Sequence, residues 1–506
     1  MHYQCPECDK EGKTISELKN NGCKCKIEPW MMLDSKDHKE SKKVKSSKDD
    51  QKFEVTKIKG VIGQNYVESI IVEDKPHFLC NVNDELQLAE KITDGEIVYR
   101  PLGANECGYF PYKFDKTVLN LLKDNPPSKE EILDQIKAHI DDFIEVSERD
   151  KHLIMGDLLL SYCQEWIDTI HFPYFVGETE SGKSSALHLF RWLGYRCLYG
   201  EDIPNADIYN FLGTDEEATG TICEDEAQEI AVNREKIRTY KNSYSRGALK
   251  PRIVSADSKH KRQVFYKTYC LKLFAGERVP EDKGFKERLA IVHMTEGSPK
   301  YNIKRLADVQ KQKLHHLRNR LLVWKVLNFN KGLEHFESNL KKRDQELWED
   351  FLSITYGTKY FQECENVVNY YTKQRHQSIW NSLEARIFKL IIDKINDKLS
   401  IRLESFWYYL TQEQGELAGS LDKETFYPHD FTKKVTRNFL SKLFDEKFQG
   451  KKTTKYETIG DRKHQRTEYV FEPKILQKLV KKYNIELSID NIILSGQRGG
   501  SGENAS

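Results

Sequence analysis

One stretch in the middle of the chain reads His171-Phe-Pro-Tyr-Phe-Val176, then Gly177-Glu-Thr-Glu-Ser-Gly182-Lys183-Ser184, then Ser185-Ala-Leu-His-Leu-Phe-Arg-Trp-Leu193. The first part is a short apolar run, typical of a buried strand, and the last part is helical in character and closed by Gly194. A strand, the pattern G-x-x-x-x-G-K-S and a helix, in that order, predict a phosphate-binding loop. This stretch therefore predicts an α/β fold built around a nucleotide site.

The residue types of the loop suit a nucleotide phosphate. Glycines let the backbone curl so that successive N–H groups face an anion, and the helix N-terminus adds the positive end of its dipole. Lys183 is expected to reach the β- and γ-phosphates of ATP, and the Ser184 hydroxyl is expected to coordinate Mg²⁺. The predicted ATP-binding residues are Gly177, Glu178, Thr179, Glu180, Ser181, Gly182, Lys183, Ser184 and Ser185.

Hydrolysis also needs carboxylates, and Thr219-Gly-Thr-Ile-Cys-Glu-Asp225-Glu226 is the best candidate to supply them. Asp225 lies 42 residues beyond Lys183 and is expected to hold Mg²⁺ through water, while Glu226 is expected to polarise the attacking water. Glu224 departs from the pattern because that position is usually apolar in a buried strand. A solvated acidic turn is the alternative interpretation, and Asp215-Glu-Glu217 is a poorer rival because no strand precedes it.

A β-hairpin with a basic tip follows. Lys250-Pro-Arg-Ile-Val254 and Arg262-Gln-Val-Phe-Tyr266 flank Lys259, His260 and Lys261. Two buried strands are expected after it, over 269–274 and 289–294.

Arg288 stands directly before the last of these strands, where the nucleotide of a neighbouring subunit would lie. We predict that Arg288 acts in trans as an arginine finger, with Arg278 as the second candidate. The alternative is an ordinary surface arginine.

With these motifs, residues 126–300 resemble the ATPase core of phage- and plasmid-encoded primase–helicase proteins, related to superfamily III helicases and AAA+ machines. The resemblance is carried by the loop, by Asp225-Glu226, and by three further groups: Ser243-Tyr-Ser-Arg-Gly247 with Arg252, Ala275-Gly276 with Pro280, and Arg288. The spacing is similarly compact, with 105 residues between Lys183 and Arg288.

The resemblance implies further roles. Superfamily III members carry a Lys-His pair on a hairpin that enters a central pore and tracks DNA, and Lys259-His260 falls at that place. Those helicases normally have Asn at the end of the sensor strand, whereas this chain has Ala275-Gly276-Glu277, so the residue that senses the γ-phosphate is not identified by the resemblance.

The C-terminal region is basic. Residues 431–482 contain 15 Lys or Arg and 6 Asp or Glu, a net charge of +9, which leaves −8 for the rest of the chain. A third helix is expected over 431–444, followed by a two-stranded wing over 454–459 and 466–471. The region resembles a winged-helix domain, with Lys433, Lys434 and Arg437 as candidate DNA contacts. A merely solvated basic face is the alternative.

Four N-terminal cysteines form two close pairs, Cys5-Pro-Glu-Cys8 and Cys23-Lys-Cys25, separated by fourteen residues. Four thiolates in this arrangement suit tetrahedral Zn²⁺ and predict a zinc ribbon, although the second pair is C-x-C and His2 could replace one ligand. Unliganded reduced cysteines are the alternative.

Composition sets the limits of the interpretation. The 506 residues include 80 Lys or Arg and 79 Asp or Glu, and this balance excludes a uniformly basic nucleic-acid coat. A content of 11% aromatic residues and a mean hydropathy of −0.70 exclude a disordered chain and a membrane protein. The expected location is cytoplasmic, without an apolar leader.

The expected architecture is α/β: a P-loop, AAA+-like core with an N-terminal zinc ribbon, a small β-rich module and a C-terminal winged helix. The predicted segments are a zinc ribbon over 1–32, a linker over 33–52, a β-rich module over 53–125, the ATPase core over 126–300, a helical segment over 301–380, the winged helix over 381–485 and a disordered tail over 486–506.

Three functions are compatible with this organisation. The first is an ATP-driven DNA helicase or translocase of the replication apparatus of a mobile element, acting as a homo-oligomeric ring, a hexamer, on single- and double-stranded DNA. The second is an ATP switch, such as an origin binder or loader, that does not unwind DNA. The third is a binding module with a degenerate ATPase, against which the intact Lys183, Asp225 and Glu226 argue.

Overall fold

A computed structural model of the protein describes residues 3–4, 11–12, 33–34, 53–214, 219–257, 260–396, 398–413, 425–426, 435–459 and 462–485. The chain divides into two compact units. The first comprises residues 1–107 and 113–117, and the second comprises residues 108–112 and 118–506. The four cysteines of the predicted zinc ribbon, most of the predicted linker and the predicted disordered tail lie outside the described residues.

The first unit is made of β-strands. Three two-residue strands, β1 (Tyr3–Gln4), β2 (Glu11–Gly12) and β3 (Leu33–Asp34), pair antiparallel in the order β2-β1-β3. The larger part has the strands β4 (Phe53–Lys57), β5 (Lys59–Ile62), β6 (Asn65–Val72), β7 (Lys75–Val82), β8 (Glu85–Ala89), β9 (Ile92–Asp94), β10 (Ile97–Pro101) and β11 (Lys113–Phe114).

Two sheets form from these strands, one in the order β4-β10-β9 and the other in the order β11-β6-β7-β8, with β5 also pairing with β6. Their buried residues include Ile62, Val67, Phe78 and Cys80, which pack together as one cluster. The apolar, β-branched runs of this segment thus form the strands that the sequence predicts.

The second unit is built on a five-stranded parallel sheet in the order β13-β14-β17-β12-β18. Strands β12, β14 and β17 are buried along their whole length, as expected for a parallel sheet whose faces are covered. The strands of this sheet are β12 (Phe172–Val176), β13 (Cys197–Glu201), β14 (Thr221–Asp225), β17 (Leu271–Gly276) and β18 (Leu289–His293). Two further strands, β15 (Leu249–Asp257) and β16 (His260–Lys267), form a hairpin.

Helices surround this sheet and continue the chain beyond it. They are α1 (Lys116–Asp124), α2 (Lys129–Phe143), α3 (Glu148–Tyr162), α4 (Lys183–Leu193), α5 (Asn205–Leu212), α6 (Arg234–Asn242), α7 (Lys283–Lys286), α8 (Asp308–Asn328), α9 (Arg343–Thr355) and α10 (Phe361–Trp380), with a 3₁₀ helix at Ala227–Ala231. None of the helices in the described ranges is long and apolar enough to cross a membrane.

The order of the strands positions the site. Because all five strands run in the same direction, their carboxyl ends meet at one edge of the sheet. The predicted phosphate-binding loop follows β12, the predicted acids end β14, and Glu277 follows β17. The fold therefore brings together segments that are up to 100 residues apart in sequence.

The C-terminal module, residues 381–485, has a core of its own that includes Phe388, Phe406, Phe444 and Tyr469. Its sheet has the order β19-β23-β22. Along the chain its elements are α11 (Leu383–Lys394), β19 (Ser400–Arg402), α12 (Leu403–Glu413), β20 (Thr425–Phe426), β21 (Val435–Thr436), α13 (Arg437–Lys442), a π-helical turn (Leu443–Lys447), β22 (Lys451–Ile459), β23 (Arg462–Val470) and α14 (Pro473–Tyr483).

The prediction of one helix over 431–444 is wrong at its start. Val435 and Thr436 form a short strand that pairs with β20, and the helix begins only at Arg437. The physical reason is the cap: the Thr436 side chain accepts a hydrogen bond from the backbone N–H of Phe439, which fixes the first helical turn after it.

Candidate active site

The phosphate-binding loop has the backbone that an anion site needs. Glu180 and Gly182 have φ values of 68° and 86°, in the left-handed region, and helix α4 begins directly afterwards at Lys183. A left-handed residue ahead of a helix turns successive N–H groups toward one point, and Gly182 reaches this conformation without the strain of a Cβ. The Lys183 ammonium donates hydrogen bonds to the carbonyls of Gly177 at 2.9 Å and Glu178 at 2.5 Å, so it lies within the curl of the loop.

A cavity of about 560 Å³ opens above the loop. It brings the loop together with the end of β14, the end of β17 and the segment after β18. The residues that line it are Phe143, Ile144, Glu145, Thr179, Glu180, Ser181, Gly182, Lys183, Ser184, Ser185, Glu226, Glu277, Met294, Thr295, Gly297, Pro299, Tyr301, Asn302 and Lys304. Seven of the nine predicted ATP-binding residues are in this set, and Gly177 and Glu178 are not.

The two predicted acids have different surroundings. Asp225 is buried, and its carboxylate accepts hydrogen bonds from the Tyr199 hydroxyl at 3.2 Å and from the backbone N–H of Glu226 at 3.2 Å. Glu226 is exposed, lines the cavity, and has a left-handed backbone with φ 53°. Asp225 is therefore held rigidly just behind the cavity wall, and Glu226 reaches into the cavity.

Glu224 also has partners in the structure, although a charged residue does not fit the apolar pattern of a buried strand. It is buried and forms an ion pair with Lys236 on α6, and it accepts a hydrogen bond from the Tyr240 hydroxyl. Lys236 also pairs with Asp202 at 2.9 Å. Burial raises the pKa of Glu224, while Lys236 acts in the opposite direction. These contacts join β14 to α6, so Glu224 has a structural role next to the two acids of the site.

Sequence reasoning did not find Tyr199. It lies on β13, beside Asp225 in the neighbouring strand, where Glu201 is paired with Asp225. Tyr199 also stacks on His188 of α4 with 4.7 Å between the ring centroids. Nothing in the local sequence Cys197–Glu201 indicates this role, because it depends on the pairing of two strands.

The two candidate arginines are placed differently. The Arg288 guanidinium is half-buried, donates to the carbonyl of Gly284, and lies 4.6 Å from the centroid of the Tyr244 ring. Burial, together with the nearby Arg343, lowers the pKa of Arg288. The side chain of Arg278 is 76% exposed and pairs with Glu229 at 3.4 Å. Neither arginine lines the cavity of its own chain.

The predicted hairpin is present. β15 and β16 pair antiparallel from Leu249 opposite Lys267 to Asp257 opposite His260, with an irregularity between Ser255 and Asp257. Both strands are longer than expected, so that His260 and Lys261 belong to β16. Lys259 lies outside the described residues.

Only part of the predicted DNA contact surface of the C-terminal module is described. Arg437 is exposed at the first position of α13, and its guanidinium lies 5.8 Å from the centroid of the Trp407 ring. Lys433 and Lys434 lie outside the described residues. The predicted wing is a hairpin of β22 and β23, with Lys451 opposite Val470 and Ile459 opposite Arg462.

The predicted zinc ligands Cys5, Cys8, Cys23 and Cys25 lie outside the described residues. Within the described ranges, no group of three or more His, Cys, Asp or Glu could hold a metal ion. The seven other cysteines of the chain are free thiols: Cys80, Cys107, Cys163, Cys197, Cys223, Cys270 and Cys364.

Comparisons with known proteins give only distant structural similarity. No protein family and no curated protein matches the sequence. The apo structure of the NrS-1 C-terminal region is similar at 12% identity and a TM-score of 0.33, over 80% of this chain and 96% of that chain. An inhibitor-bound JCV helicase is similar at 13% identity and a TM-score of 0.24, over 54% of this chain and 75% of that chain. Similarities this low leave the geometry of the site as the basis for function.

Proposed function

We propose that this chain is an ATP-hydrolysing DNA helicase or translocase that acts as a ring oligomer in the replication of a mobile element. The observation that carries the proposal is the cavity of about 560 Å³ at the carboxyl edge of the parallel sheet. It combines a phosphate-binding loop and a loop lysine after β12 with an acid directly after β14. Its volume is in the range of pockets that hold a cofactor-sized ligand.

Each group has a defined role in the proposed reaction. The N–H groups of the loop and the ammonium of Lys183 bind the β- and γ-phosphates. Glu226 orients the attacking water and accepts its proton. Ser184 and Asp225 supply the hydroxyl and carboxylate oxygens that Mg²⁺ prefers, and they are the residues that would hold the ion. When bound, Mg²⁺ would neutralise charge on the phosphate oxygens.

Arginine fingers belong to the ring part of the proposal. An arginine that completes the site of a neighbouring subunit must extend its side chain away from the surface of its own subunit. The exposure of Arg278 suits such a role, whereas Arg288 is held by Gly284 and Tyr244 of its own chain. We retain Arg288 as the first candidate from the sequence pattern, with Arg278 beside it.

DNA binding is proposed for two regions. The hairpin of β15 and β16, with Lys259, His260 and Lys261 at its tip, would line the pore. The C-terminal module would contact DNA as a winged helix, which the order helix, strand, two helices and a two-stranded wing supports. Its charge of +9 over residues 431–482 suits the phosphate backbone.

Zinc is proposed for Cys5, Cys8, Cys23 and Cys25. We expect one zinc ion per chain in protein purified without chelator, because four closely spaced thiolates form a complete tetrahedral site. The ion should be lost when Cys5 and Cys8 are both replaced by Ser. Elemental analysis that finds no zinc in the wild-type chain contradicts the assignment.

The hairpin provides the test that separates a helicase from an ATP switch. In the double variant Lys259→Ala and His260→Ala, we expect basal ATPase activity near that of the wild type, because these residues would meet DNA and not ATP. Stimulation of the ATPase by single-stranded DNA and strand displacement should both be lost. The matched control removes two exposed lysines of α8, Lys311→Ala with Lys313→Ala, and should behave as the wild type.

Two outcomes would contradict the helicase proposal. A hairpin double variant that displaces strands like the wild type removes the hairpin from the mechanism. A wild-type chain that hydrolyses ATP and binds DNA, but displaces no strand under any polarity of overhang, favours the ATP switch.

A further inference from the structure

Gln228 connects the acid at the end of β14 to the end of β17. It lies in the 3₁₀ helix Ala227–Ala231, and this helix begins directly after Glu226. Its side-chain Nε2 donates a hydrogen bond to Oε2 of Glu226 at 2.5 Å, and its Oε1 accepts one from the backbone N–H of Glu277 at 3.3 Å. A backbone N–H can only donate, so the amide oxygen must face Glu277 and the amide N–H must face Glu226.

The end of β17 is shaped around this amide. A Cβ added to Gly276 would lie 2.4 Å from Oε1 of Gln228 and 2.6 Å from the hydroxyl oxygen of Tyr174. Contacts this short exclude a side chain at position 276 unless both Gln228 and Tyr174 move. The missing side chain at the end of this strand is therefore what makes room for Gln228.

The hydrogen bond from Gln228 fixes the direction of the Glu226 side chain. The Glu226 backbone is left-handed, with φ 53°, a conformation that is unfavourable for a residue with a Cβ. Its side chain is exposed at the cavity wall, where a glutamate would otherwise sample several rotamers. A hydrogen bond from a half-buried amide restricts that freedom.

The same set of hydrogen bonds extends to the phosphate-binding loop. The Thr179 hydroxyl donates to Oε1 of Glu277 at 3.2 Å, and Glu277 lines the cavity. A continuous chain of contacts thus runs from Glu226 through Gln228 and Glu277 to Thr179.

We infer that Gln228 is a positioning residue for ATP hydrolysis, whose side-chain amide holds the Glu226 carboxylate in the direction of the attacking water. Gln228 transfers no proton: the water proton goes to Glu226, and the amide keeps both of its N–H groups. This inference rests on the proposed ATPase function and adds a residue to it that the sequence pattern does not indicate.

The test is the full chain with Gln228→Met, which keeps the length of the side chain and removes its polar atoms. We expect kcat for ATP to fall about tenfold to a hundredfold, as for other residues that orient a reacting group. KM and the affinity for ATP should change less than about twofold, because Gln228 does not line the cavity. Gly276→Ala should also lower kcat, since its new methyl group would displace the Gln228 amide, and it would displace the Tyr174 hydroxyl as well.

The matched control is Gln345→Met. Gln345 on α9 makes the same kind of bond, from its Nε2 to Oε2 of Glu349 at 3.0 Å, and neither residue lines the cavity. We expect it to leave kcat and KM unchanged. Melting temperatures of all variants, measured alongside, exclude loss of folding as the cause of a lower rate.

A double-mutant cycle separates positioning from a general structural effect. If Gln228 acts through Glu226, then adding Gln228→Met to Glu226→Gln should lower the residual rate less than twofold. An equal further loss in that background would overturn the inference, and so would a wild-type kcat for Gln228→Met. Either result leaves the proposed function intact as long as Lys183→Ala is inactive, whereas a wild-type chain without ATPase activity refutes both.

Discussion

At the carboxyl edge of the parallel sheet, the two acids that end β14 are buried against defined partners, whereas the C-terminal module carries many cations on exposed strands and helices. Glu224 is buried against Lys236, and Asp225 is buried under Tyr199. In the wing, Lys451 and Lys455 pair with Glu472 and Glu468 at 2.8 Å while their side chains stay 75% and 68% exposed. Exposed pairs of this kind contribute little to the stability of the fold, because solvent screens them.

The difference teaches how the two regions should respond to mutation. A site in which each group has one geometry loses its function when one group is removed. A surface that attracts DNA through many exchangeable cations loses a fraction of its affinity with each one. The first region should therefore give large effects on ATP hydrolysis from single substitutions, and the second should give small, graded effects on DNA binding.

The largest effect is expected for Lys183→Ala. Lys183 lies within the curl of the loop and is the only lysine of the motif, so its removal should lower kcat for ATP on the order of 100-fold or more. The fold should be preserved, because the side chain lies on a loop at the cavity wall. Steady-state ATPase assays and a melting curve check both parts, with Lys311→Ala as the control. Wild-type turnover in the variant would show that the ATP site does not lie at this edge of the sheet.

A second large effect is expected for Glu226→Gln. The variant should bind ATP as the wild type does, because Lys183 and Asp225 remain, but it should hydrolyse ATP about 100-fold more slowly without its general base. Nucleotide binding measured by fluorescence, together with single-turnover hydrolysis, separates the two steps. If Glu226→Gln and Asp225→Asn are both fully active, the acids of the site lie elsewhere and the contrast between the two regions disappears.

The regions also differ in how far the sequence predicts them. The loop is predictable because its chemistry resides in consecutive residues, and strand, loop and helix occur within one or two residues of the expected bounds. The roles of Glu224, Tyr199 and Gln228 are not predictable, since each depends on a partner brought close by strand order or by a following helix.

In the C-terminal module, a pattern of apolar spacing predicts a longer helix than exists. Val435, Phe439 and Leu443 share a helical spacing, but Val435 belongs to a strand and Thr436 caps the helix. Apolar periodicity carries no information about a capping residue, so it places the start of the helix too early. The wing is predictable in kind, because alternating residues on both sides of the sequence Gly460-Asp461 favour a hairpin.

The smallest effect is expected in this module, for Arg437→Ala. Arg437 is exposed at the start of α13, and we expect its guanidinium to contact one phosphate of a bound duplex. Because each neutralised phosphate releases counterion, the variant should lose affinity for DNA only a few-fold and reduce the slope of log affinity against log salt by about one. Lys373→Ala, an exposed cation on α10, is the matched control and should leave the slope unchanged. Binding isotherms of the full chain at several salt concentrations measure both quantities. If Arg437→Ala instead abolishes binding at all salt concentrations, the module holds DNA through one essential contact, and the two regions do not differ in the way proposed.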